Sequence, residues 1–197
     1  SKKKPQKKFQ LPFNKSLFLT SIVLVVIFYA IIWPLIYLGW NVVWLKNNLD
    51  FAEKSLSKGS FNQSINGVVQ AKQNMNEINL FWEGILYMDK FGILKERLNG
   101  VTSLVNSTKG TVTGSEHLVL GIKYLYKGLQ SVSGEESMEP SLEFLSAGTE
   151  FAFADESFSK AILELNEKTI FKGNLEKKIN ELAGVAKQSR AAVSTMP

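Results

Sequence analysis

The chain has 197 residues, 45% of them hydrophobic, and a formal net charge of +5, which is enough length for one domain with its own core and a further segment. Six of its 23 basic residues (Lys2, Lys3, Lys4, Lys7, Lys8 and Lys15) fall in the first sixteen positions without an acid among them, leaving 17 basic against 18 acidic side chains beyond, so the folded part carries no basic footprint for nucleic acid. The absence of cysteine excludes disulfides, thiolate catalysis and zinc–thiolate sites.

The lysine-rich arm, residues 1–16, leads into a stretch without charge from Ser16 to Leu45. Within it Leu17–Leu38 holds 15 Leu, Ile, Val or Phe in 22 residues, about 33 Å of helix against a hydrocarbon core of about 30 Å. The pattern predicts a single transmembrane helix over 17–39, with the lipid bilayer as its first partner. A cleaved signal peptide fits less well, because the run is long and its exit lacks an A-x-A-like site. Trp33, Tyr37, Trp40 and Trp44 are then the aromatic belt at the membrane interface. Lysine asymmetry places the arm in the cytoplasm and residues 40–196 outside it, a single-pass cell-membrane protein held by a signal anchor.

Beyond the span, apolar residues recur at three-then-four spacing and strand-like alternation is absent. Helices are predicted at about 40–57, 61–89, 93–132, 141–168 and 174–194, an all-α, antiparallel, coiled-coil-like multi-helix bundle. Lys58-Gly59-Ser60 ends the first of these. The second carries Phe61, Ile65, Val68, Ala71, Met75, Ile78, Trp82 and Ile85 on one stripe. Its last third, with Phe81, Trp82 and Tyr87, reads either as a segment at the outer membrane interface or as core at the hairpin end. The third helix has an apolar register that persists across Gly110 and Gly114, two residues that soften its middle.

The fourth helix has the cleanest seam: Phe144, Ala147, Phe151, Ala154, Phe158, Ala161 and Leu165. Alternating Phe with Ala sets large side chains against small ones across a close helix pair. The fifth bears Leu175, Ile179, Leu182, Ala186, Ser189 and Val193.

Candidates for chemistry are few. His117 is the lone histidine and has no companion at metal-ligand spacing, so it reads as a satisfied side chain. Glu150, Asp155 and Glu156 read as a solvated helix face rather than a cation site. No catalytic or phosphate-binding motif occurs, and neither cofactor nor metal is expected.

The lysine-rich start, the apolar run, Leu49-x-x-Ala52-x-x-x-Leu56-x-x-Gly59-Ser60, the Ala71-centred helix and the long third helix resemble the N-terminal region of envelope proteins in the bacterial domain-of-unknown-function family four-zero-one-two. That resemblance implies a membrane-anchored helical stalk in Gram-positive and candidate-phylum bacteria, with a larger domain following a junction at Met196-Pro197. The chain accordingly reads as a window of a longer protein. The expected function is a tethered, non-enzymatic stalk or scaffold in the cell envelope that positions a downstream domain, an envelope partner or a second copy. The alternative is a sensory or small-ligand-binding extracytoplasmic bundle.

Overall fold

A computed structural model describes residues 15–88, 98–133, 139–165, 167–169 and 172–196. Among them every regular element is helical and there is no strand. In chain order these are α1 (Lys15–Ile27), a π-helical turn (Phe28–Ile32), α2 (Trp33–Ser57), α3 (Phe61–Met88), α4 (Asn99–Val132), α5 (Pro140–Leu163) and α6 (Lys172–Val193). The chain divides into two units, residues 1–39 and 40–197.

The first unit corrects the expected anchor. The apolar run is shared among three helical stretches, and no helix of the described residues is long and apolar enough to cross a membrane. The 13 residues of α1 reach about 20 Å, well short of the hydrocarbon thickness. Although α2 has 25 residues, Lys46, Asp50, Glu53 and Lys54 occupy its second half. Pro34 explains the interruption. It has no N–H to give and its ring crowds the carbonyl four residues back. The chain widens just before it, and the Trp33 N–H donates to the Phe28 carbonyl, five residues earlier.

The expected single-pass topology, signal anchor and cell-membrane localisation fall with that span. Trp33, Tyr37, Trp40 and Trp44, read from the sequence as an aromatic belt, are exposed side chains on α2. The lysine arm up to residue 14 lies outside the described residues.

The second unit is a helical bundle. Between α2 and α3 the chain turns at Gly59, whose φ of 72° is left-handed. The Ser60 N–H donates to the Ser55 carbonyl and the Gly59 N–H to that of Leu56, the Schellman pair that closes a helix C-terminus. Helix α3 then returns along α2 with small and polar side chains at the contact. The Ser64 hydroxyl donates to the Ala52 carbonyl at 2.8 Å, and a Cβ on Gly67 would stand 2.9 Å from the Asn48 carbonyl.

An amide relay fixes the pairing: Asn48 Nδ2 donates to Asn74 Oδ1 at 2.9 Å, and Asn74 Nδ2 donates to Asn41 Oδ1 at 3.1 Å. Asn41 and Asn48 are both buried. Buried amides of this kind specify register at some expense of stability. Asn74→Ala removes the acceptor of Asn48 Nδ2 and the donor to Asn41 together. It is expected to lower the unfolding free energy by about 1–2 kcal/mol, read as a reduced urea midpoint.

Helix α3 lies antiparallel on α4. Phe61 meets Tyr126 with ring centroids 4.9 Å apart, Lys72 Nζ reaches Glu116 at 2.5 Å, and the Trp82 indole N–H donates to the Thr102 hydroxyl at 3.1 Å. Trp82 is only 8% exposed, so it belongs to the bundle core. Of the two other aromatics predicted near it for an interface, Phe81 is half-buried and Tyr87 is 85% exposed.

The 34 residues of α4 run unbroken through Gly110 and Gly114, about 51 Å. Its buried positions form two stripes. Val105, Val112 and Val119 make one; Val119 packs in a cluster with Ala52 and Val68, on the α2–α3 side. Gly114, Gly121 and Gly128 make the other and face α5.

Candidate functional site

The feature that dominates the molecule is the α4–α5 seam. On α5, Phe144, Phe151 and Phe158 recur every seven residues. On α4 the residues they meet also recur every seven. A Cβ on Gly114 would lie 2.6 Å from the Phe158 ring, one on Gly121 2.6 Å from the Phe151 ring, and one on Gly128 2.6 Å from the Phe144 ring. Each phenyl ring therefore occupies the space that an α4 side chain would need. Beyond the last ring, Ala161 packs on Gly110, where an added Cβ would stand 3.0 Å away.

The seam residues Phe144, Ala147, Phe151, Ala154, Phe158, Ala161 and Leu165 are all buried and belong to one cluster with Ile179, Ala183, Ala186 and Val193 of α6. The Phe row thus seats on glycine, and Ala161 meets Gly110 in the same α4–α5 contact. Burial of a phenyl side chain is worth roughly 1.5–3 kcal/mol, and each ring here has a shaped socket, which adds specificity to that burial.

Polar pairs close the ends and flanks of the seam. The Ser103 hydroxyl meets the Thr169 hydroxyl at 2.7 Å and donates to the Glu164 carbonyl, while Asn106 Nδ2 donates to the Glu164 carboxylate at 3.1 Å. His117 Nδ1 lies 2.7 Å from Glu150 Oε2, bridging α4 to α5, and its ring stands 5.3 Å from that of Phe153. The lone histidine is a structural tie, its Nδ1 engaged.

The acidic side chains weighed for a cation are also engaged: Asp155 with Lys187 at 3.6 Å, Glu156 with Lys160 at 2.6 Å, Glu150 with His117. Among the described residues no three histidine or carboxylate groups gather as a metal would require. The hydrogen bond from Lys160 holds the Glu156 carboxyl below the usual carboxylate range, and that from Lys46 does the same for Asp50. Whatever stability these fully exposed pairs add is present at neutral pH and fades as pH falls through those depressed values.

Two surface grooves flank the bundle. One, of 310 Å³, lies between the Gly59–Gln63 turn and Lys123, Tyr126, Lys127 and Gln130 of α4. The other, of 560 Å³, runs between the first half of α5 and the end of α6. Its floor includes Gly148 and Ala152, and Arg190, Val193 and Met196 line its far wall.

Sequence reasoning placed the Phe/Ala row and missed its counterpart. The signal was present: Gly100, Gly114, Gly121 and Gly128 stand at multiples of seven, and Ser107 fills the remaining step. No family model, curated protein or solved structure matches the chain, so the resemblance to family four-zero-one-two rests on helix spacing alone.

Proposed function

We propose that residues 40–197 form a non-catalytic helical scaffold that holds a protein partner on a rigid α4–α5 spine. The observation that carries this reading is the heptad interlock of Phe144, Phe151 and Phe158 with Gly128, Gly121 and Gly114. Glycine in a helix interior costs about 1 kcal/mol against alanine at each position. A chain that carries three of them in heptad register spends that stability on close, single-register contact between two helices. The side chains that chemistry would need are tied into helix-to-helix or intrahelical pairs. Space between the helices is filled by aromatic rings, which speaks for a support over a small-ligand receptor.

The test is complementation in cells where the wild-type gene rescues its deletion. His117→Gln combined with Glu150→Gln, and separately Asp155→Asn, are expected to rescue fully. Phe151→Ala is expected to fail at a temperature that melts it. Loss of rescue by the folded, charge-neutral variants would transfer the case to a catalytic or binding role for that cluster.

A further inference from the structure

Helix α2 is built inside out. Of the five residues it buries, Asn41, Leu45, Asn48, Ala52 and Ser55, three are polar. Its contact with α3 is made by the amide relay, the Ser64 hydroxyl and the bare backbone of Gly67. The side chains it exposes at the start of that contact are apolar: Trp40 is 62% exposed, Val42 49%, Val43 56% and Trp44 43%. Successive helical residues point about 100° apart. These four therefore face every direction except the side taken by Asn41 and Leu45. The first unit shows a similar exposure by itself, since the six successive residues from Ile22 to Ile27 are 42–61% exposed.

We infer that Trp40, Val42, Val43 and Trp44 seat α2 in the surface of a lipid layer, entered from one side and not crossed. A helix on a water-facing surface turns its apolar stripe to the core and its polar residues outward. The reverse arrangement, with small residues and amide ties between helices and apolar side chains outside, is how helices pair where the surroundings are themselves apolar. The breadth of the exposed arc separates lipid from a protein partner. A docked helix covers one face, whereas fluid acyl chains wet every side that is offered.

Ring chemistry and charge set the depth. The Trp40 and Trp44 rings stand 6.0 Å apart, and indole, an apolar body with one N–H, concentrates where hydrocarbon meets water. Within the next turns Lys46 pairs with Asp50 at 2.9 Å, their side chains 74% and 47% exposed, so the lipid contact ends before them. Seating of this kind asks for exposed apolar side chains at shallow depth and not for a helix of spanning length. The contact is independent of the scaffold reading.

The test uses the purified full-length protein, transferred from non-ionic detergent to phosphatidylcholine vesicles. Vesicles without net charge offer the N-terminal lysines no attraction, so flotation with them is expected to be the same at low and high salt. A variant with Trp33→Phe and Trp44→Phe keeps Trp40 and Trp82, and adding Trp40→Phe leaves Trp82 alone. With lipids brominated on their acyl chains, the first variant is expected to lose much of its emission. The second should lose none, because Trp82 is 8% exposed in the bundle core. Adding Val42→Glu and Val43→Glu to the first variant should abolish most of its quenching with helical content unchanged, since carboxylates resist lipid and neither valine is buried. Protein that fails to float, equal quenching of the two variants, or quenching indifferent to the glutamates each overturns the lipid contact. An oligomer that shields Trp40 without vesicles would give the face to a second copy and overturn it as well.

Discussion

Phe151→Ala is expected to reduce the unfolding free energy by about 3–5 kcal/mol, the range for truncating a fully buried phenylalanine. Phe151 is 0% exposed, and its ring rests on Gly121, where an added Cβ would lie 2.6 Å away. A glycine socket has no side chain that can swing into the vacated space. The cavity therefore stays largely open, and open cavities set the upper end of that range. For a domain of this size the melting temperature should fall by roughly 2–4 °C per kcal/mol. Phe153→Ala is the matched control. It removes the same atoms two residues away, but Phe153 is 47% exposed, and its loss should cost less than about 1 kcal/mol. Equal urea midpoints for the two variants would refute the packing described for the seam.

That contrast also marks what the sequence could convey. Phe144, Ala147, Phe151, Ala154, Phe158, Ala161 and Leu165 were legible because apolar periodicity reports a buried stripe whatever it packs against. The α3 stripe from Val68 to Trp82 was legible for the same reason, and so was the Gly59 stop. The partner surface on α4 was not. Glycine adds nothing to an apolar pattern, so Gly114, Gly121 and Gly128 register as helix softness unless their sevenfold recurrence is matched to that of the phenylalanines on α5. Helix α4 consequently has a double face, valines in one stripe and glycines in the other, where periodicity suggested one stripe.

The apolar run failed differently. Composition over Leu17–Leu38 counts residues and is blind to where backbone hydrogen bonding changes. Pro34 forces that change, and the run is divided before either helix meets the length and apolarity that a membrane demands. The ties made by Asn74 and His117 were invisible for a simpler reason. Each depends on a residue 26 to 33 positions away, beyond the reach of any local pattern.

Gly121→Leu approaches the same contact from the opposite side. Leucine is the better helix former, and in an exposed helix the change would stabilise by about 1 kcal/mol. Here its Cβ alone would overlap the Phe151 ring, and overpacking a filled core commonly costs about 1–3 kcal/mol or more. The crowding outweighs the propensity because Phe151 is fully buried in one cluster with Ala147 and Ala154 of its own helix and with side chains of α6. A net loss of about 2 kcal/mol is expected for the single variant. Combining it with Phe151→Ala exchanges knob and hole between the helices, so the double variant should be more stable than Phe151→Ala alone. The two changes should show a favourable coupling of about 1–3 kcal/mol in a double-mutant cycle. Additive losses would mean that the leucine and the ring never compete for one site. Coupling confined to this pair, and absent when Gly121→Leu is combined with Phe144→Ala, ties the energy to the seven-residue register itself, because Phe144 meets Gly128 and not Gly121.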